Sequence, residues 1–219
     1  MPSNLELLDL ADVLRTYGRG VVFRGVRWDP SSGAPIVLEH LGDTEGDIAF
    51  TTNAEVQGFT LPEVTGPAMH EGTYTGENPS LEFPLFVADP ALLAKLSPKG
   101  SAHAGRSART AVAEHVFVVL PEALFGESRA QLAVTAGAWT LGGVALTAAQ
   151  LALLDTALWL WRCFVNRPPR RWLGAAGDGS KNIENVSVQV MHHPGMPEGH
   201  HLYTVGDPGE FGIDLEGGS

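Results

Sequence analysis

The sequence predicts a mainly β fold, an antiparallel β-sandwich or open barrel with flanking helices, and three observations predict it. Short runs rich in β-branched and aromatic residues follow one another at close intervals. The segments between them carry turn chemistry, in a chain with 26 glycines and 15 prolines. No helix-length pattern separates the early runs, so they lack the crossovers that parallel pairing needs.

The elements follow in order. Ser3 and Glu6 form a capping box before Leu7, Leu8, Leu10, Val13 and Leu14, which predicts an amphipathic arm helix within about 1–18. Strands are expected over 21–28, 35–41 and 47–52, between the turn clusters at 29–33 and 42–46. Residues 53–78 read as a long excursion holding a brief strand near 57–61, and so long a loop points to binding. The run 80–87 alternates, but Pro84 lacks an amide hydrogen and is expected to push it to a sheet edge or a bulge. Asp89 and Pro90 begin a short helix carrying Leu92, Leu93 and Leu96, and a polar loop over 97–110 follows. A buried strand is expected over 112–120, and one or two more over 131–146 with Gly137, Gly142 and Gly143 at turns.

Thr147 and Gln150 form a second capping box, and the apolar spacing of Leu151, Leu154, Leu158, Trp161 and Val165 predicts a helix over 147–166. Trp159, off that stripe, is expected to be less buried. A Gly-rich link at 174–182 leads to a strand marked by Val186, Val188 and Val190, with 201–205 expected to pair back onto it. The 219 residues fit one domain over 1–219, with the arm, the loop and the helix as additions.

Composition narrows the function classes. A formal net charge of −11 argues against long-range attraction to DNA or an anionic membrane. The ordinary reading of that acidity is solubility; a wall that DNA slides past is the sharper one. The most apolar stretch, 151–165, is shorter than the ~20 residues of a spanning helix and carries Asp155 and Arg162. The start of the chain lacks the basic and apolar regions of a signal peptide. A single cysteine, Cys163, rules out an internal disulfide and reads as inert packing.

Chemical motifs are few. The glycines of 174–181 precede a strand and end Gly-Ser-Lys, the wrong order and place for a phosphate loop. His192, His193, His200 and His201 flank a Pro/Gly loop and are the only metal-ligand candidates. In a regular hairpin only two of them share a face, short of the four ligands of a structural zinc site, so no metal or other cofactor is expected. His115, in an apolar strand, reads as a core or interface residue. No nucleophile elbow or metalloprotease pattern is present, and no enzymatic activity is expected.

Four stretches carry a family likeness: the run LGDTEGDIAF at 41–50, YTGENPSLEFPL at 74–85, IENVSVQV at 183–190 and GHHLYTVGDP at 199–208. Their order resembles the major tail proteins (tail tube proteins) of long-tailed bacteriophages and related tail-like particles. In those, a Gly-x-Thr/Val-Glu-Gly turn opens a strand, a long loop leaves the sheet and a Gly-Glu strand returns. The likeness spans 17–96, 112–120 and 183–208; the expected helix at 147–166 and the arm before Thr16 depart from the minimal pattern. The resemblance implies a virion protein of the tail, made in the host cytoplasm. Copies would close into six-membered rings, stack into a tube and meet other tail proteins, while DNA passes the lumen without specific binding. Edge and loop residues would then carry assembly: Glu45, Asp47, Gln57, Pro62, Tyr74, Glu77, Glu82 and Pro84. A tail terminator or hub component, or a sandwich that recognises a ligand or receptor through its loops, are the alternative readings.

Overall fold

The computed structural model describes residues 20–32, 34–41, 44, 47–52, 54–59, 71–86, 91, 95–96, 112–121, 130–135, 137–167 and 183–215. The expected arm helix, the polar loop of 97–110 and the link of 174–182 lie outside them. The described residues form thirteen strands: β1 (Gly20–Val26), β2 (Val37–His40), β3 (Ala49–Thr51), β4 (Ala54–Phe59), β5 (Glu71–Glu77), β6 (Ser80–Phe86), β7 (His115–Pro121), β8 (Leu132–Thr135), β9 (Ala138–Leu141), β10 (Val144–Ala145), β11 (Leu158–Arg167), β12 (Ile183–Val190) and β13 (Tyr203–Val205). Helix α1 (Ala148–Leu154) lies between β10 and β11, and Ala91, Lys95 and Leu96 are also helical, where a short helix was expected after Asp89 and Pro90. All of the pairings are antiparallel, so the mainly β expectation holds.

The main sheet runs β10-β9-β8-β2-β1-β7-β11-β12-β6-β3, with β13 also on β11. It is folded into an S. Its middle strands β1, β7 and β11 bury both faces, which is why they read as nearly unbroken apolar runs such as HVFVVLP. One face packs Phe23, Val118, Trp159 and Trp161 against Leu38, Leu132 and Ile213. The other packs Val22, Phe117, Leu160 and Val165 against Leu81, Phe83, Val186 and Val188. Each wing therefore curls over a different face of the same three strands.

Two contacts establish the curl. Trp139 of β9 meets Trp159 of β11 at 5.7 Å between ring centroids. Those strands lie five places apart in the sheet, about 24 Å if it were flat at about 4.8 Å per strand. On the other side Thr44 bridges Leu85 of β6 and donates a hydrogen bond to the Gly20 carbonyl of β1 at 2.7 Å, closing that wing almost into a barrel.

The expected helix of 147–166 is corrected. Its capping box is real, since Thr147 and Gln150 bond each other reciprocally, but α1 stops at Asp155 and β11 follows. A bulge explains the misleading period: Leu160 opposes Phe117 and Cys163 opposes His115, so β11 carries one extra residue there. Leu158 and Leu160 face the second core before the bulge, and Cys163 and Val165 face it after. That change of parity turns an alternating strand into a pattern with helix-like spacing. Trp159, expected to be less buried, is fully buried; its Nε1 donates to the Gly206 carbonyl at 3.0 Å.

Two further expectations change. The segment after 201 pairs with β11 rather than β12. The strand at 80–86 is not the sheet's outer strand, because β3 covers its first residues. Pro84 is accommodated for a definable reason. The Val190 amide donates to the Pro79 carbonyl, so by alternation the even residues of β6 point their backbone groups away from β12. On that flank β3 reaches only as far as Glu82, and the missing amide of Pro84 falls beyond its end.

Candidate assembly interface

Within the expected loop of 53–78, the described residues 54–59 and 71–77 form a β-ribbon. Ala49 to Thr51 pair with Glu82 to Ser80, and Ala54 and Glu55 pair with Glu77 and Gly76 in the same continuing register. The β3–β6 hairpin therefore runs on past the sheet as β4 and β5, which form a two-stranded sheet of their own. Six residues of β4 span about 20 Å at ~3.3 Å per residue.

The exit is pinned and bent. Where the ribbon leaves, Gln189 of β12 donates through Nε2 to the Asn78 side chain and to the Pro79 carbonyl, the latter at 2.9 Å. A few residues out, Glu55 opposes Gly76 but Val56 opposes Tyr74, leaving Thr75 as the extra residue of a bulge. Gly76 there adopts a φ of 148°, a conformation that side chains resist. Bulges raise local twist and re-aim a strand, so the ribbon leaves the sheet at an imposed angle.

The sequence-predicted assembly residues divide around this feature. Gln57 opposes Thr73 and Tyr74 opposes Val56 on the ribbon, and Glu77 opposes Ala54 at its base. Glu82 is exposed on β6 between Ala49 and Ser187, Pro84 is half-buried beside Asn185, and Asp47 is exposed just before β3. Glu45 and Pro62 lie outside the described residues. The Asn78–Gln189 clasp was missed; the Asn-Pro turn signal at 78–79 was the clue that the chain bends there. Among the described strands the margins of the main sheet are β3 and β10, three and two residues long, and short edge strands blunt a sheet's edges.

The four histidines do not converge. β12 and β13 lie end to end along β11: Val190 opposes Cys163 and Tyr203 opposes Leu160, with residues 191–202 looping out between them. The His193 amide donates to the His201 carbonyl and closes the base of this loop. His193 is buried; its Nδ1 accepts from the Gly195 amide and its Nε2 faces the Trp28 carbonyl at 3.0 Å. Burial lowers its pKa, with the bond to Trp28 opposing. His200 meets the Thr204 hydroxyl at 3.2 Å and packs on Phe211. His192 and His201 stack at 4.5 Å. Arg162 anchors the loop, donating to the His192 carbonyl and in bidentate fashion to Glu114, which also takes Arg27. Those hydrogen bonds hold the Glu114 carboxyl below its usual range.

His115 is a core residue, 2% exposed. Its Nδ1 accepts from the Arg24 side chain at 3.0 and 3.2 Å, while Nε2 is buried with no hydrogen-bond partner among the described residues. Burial, then the Arg24 charge, push its pKa down to about 4, so the ring is neutral at pH 7. Cys163, opposite it, is fully buried with its pKa pushed well up, so it is a thiol rather than a nucleophile. Among the described residues no helix is long and apolar enough to cross a membrane.

The fold defines the class, a mainly β protein of antiparallel strands. No protein-family model matches the chain, and no curated protein matches it in sequence.

Proposed function

We propose that the chain is a structural subunit that assembles with copies of itself, and that the assembly is the tube of a phage tail or tail-like particle. The ribbon carries this reading. A lone two-stranded ribbon is marginally stable in water, and among the described strands β4–β5 has no partner on either backbone edge beyond the main sheet. A sister molecule that adds a strand or covers a face would supply the missing partner. Head-to-tail contacts of one patch with a different patch close into rings, and stacked rings make a tube. A net charge of −11 suits a lumen that lets DNA pass, since a basic one would hold phosphate by releasing counterions.

The topology permits a clean test. Thr51 opposes Ser80, so residues 53–78 can be replaced by an Asn-Gly turn joining Thr52 to Pro79 without altering the sheet. The shortened protein is expected to stay folded, with a cooperative unfolding transition, and to remain monomeric at concentrations where the parent forms rings or tubes in electron micrographs. Tubes from the shortened protein, or a parent that stays monomeric, would overturn the proposal.

A further inference from the structure

We propose that His193 is an acid switch: a proton on its ring releases residues 194–199, the tip of the 191–202 loop, from the segment after β1 and bares the apolar end of the first core. This does not rest on the assembly reading. The ring is fully buried and engaged at both nitrogens. Nε2 lies 3.0 Å from the Trp28 carbonyl, which only accepts, and Nδ1 lies 3.1 Å from the Gly195 amide, which only donates. The closed loop therefore holds the neutral ring, with its hydrogen on Nε2 and its lone pair on Nδ1. A second proton has only Nδ1 to go to, and there it would point at the Gly195 N–H. Two donors would then face each other in a buried site, so the charged ring and the closed loop are incompatible.

The charges around the ring come from several elements. Asp29 favours the cation, and its Oδ1 would lie 3.4 Å from a Cβ built on Gly195, but that oxygen already accepts from the Ser31 amide and hydroxyl. Arg27 and Arg162 oppose the cation, and both are tied to Glu114. From within the loop, His201 donates through Nδ1 to the His193 carbonyl at 3.1 Å. What the ring holds shut is apolar. The Met196 amide donates to the His193 carbonyl, and its side chain is buried in the core that also holds Trp28 and Trp161. The bond from the His193 amide to the His201 carbonyl closes the base of the loop, so the release is confined to the residues beyond it.

Amide hydrogen exchange of the full chain between pH 7 and 4.5, corrected for the pH dependence of intrinsic exchange, reads the switch at Gly195 and Met196. Burial holds the ring's pKa below its ordinary 6.5 while the loop is closed, so protection is level above pH 6.5 and falls below it. The fall is expected to be about tenfold per pH unit until the closed-state pKa is passed. Val188 in β12 should stay the better protected throughout; equal protection at the two places would mean global unfolding and overturn the proposal. His193→Gln keeps a donor for the Trp28 carbonyl but cannot take a proton, so the slope at Gly195 and Met196 should vanish, whereas His115→Phe should keep it. Nitrogen-15 spectra of the unaltered chain give an independent reading, because the His193 ring should titrate over the range in which protection falls. A slope retained in His193→Gln, or a His193 ring that becomes charged while Gly195 stays protected, would sink the switch.

Discussion

The middle strands and the ribbon are opposites built from the same backbone. β1, β7 and β11 are covered on both faces and paired on both edges, so apart from end residues such as Val26 and Asn166 most side chains there have a fixed set of neighbours. β4 and β5 pair only with each other among the described strands. The difference separates what a substitution does to folding from what it does to association. Changes in the middle strands should act on stability, and changes in the ribbon should act on contacts with other molecules.

The sharpest break of that comparison is expected at Trp161. It is fully buried, stacks on Trp159 at 5.3 Å and donates to the Thr204 hydroxyl at 2.8 Å. Trp161→Ala should cost about 3–5 kcal/mol, read from urea unfolding curves. A loss well under 1 kcal/mol would mean the shared core is not where stability resides.

His115 gives the next effect, and it depends on pH. Its folded pKa of about 4 lies below the ordinary 6.5, so the unfolded chain takes up the proton first as pH falls. Stability is full above pH 6.5, declines between 6.5 and 4, and levels off below. At about 1.4 kcal/mol per pH unit the decline amounts to roughly 3 kcal/mol at most. Urea midpoints between pH 7 and 4.5 should show this slope, and His115→Phe should flatten it. Glu114 acts in the same direction lower down, because its depressed carboxyl loses its contribution as it protonates.

The smallest effect on folding belongs to the ribbon. Glu77→Ala, at the ribbon's base opposite Ala54, should change unfolding free energy by less than about 0.5 kcal/mol while reducing self-association seen by sedimentation. A large loss of stability with unaltered association would reverse the roles assigned to the two regions.

How much of this was legible in the sequence follows from where local signals and tertiary contacts agree. Turn glycines were readable because they report on their own backbone: Gly137, Gly142 and Gly143 adopt φ of 79°, 59° and 82°, at the turns expected of them. Alternation was readable in β12, which is covered by a core on one face, with Val186, Val188 and Val190 inward. It failed in β11, where both faces are buried and a bulge shifts the parity, so LWLWRCFV satisfies a helical period as well as a strand. The ribbon was legible as an excursion but not as paired strands, since its register is inherited from β3 and β6 rather than announced by its own pattern. Among the histidines, sequence spacing gave proximity along the chain, but the loop at 191–202 decided which rings meet.

The S-shaped sheet has a consequence for how the molecule comes apart. Two hydrophobic cores would ordinarily allow two units that melt separately. Here the cores are opposite sides of one three-strand wall, so removing either wing strips a face from β1, β7 and β11 and exposes apolar surface that the other wing cannot hide. The two halves are therefore bound to a common fate, and a break in one propagates to the other as a single transition.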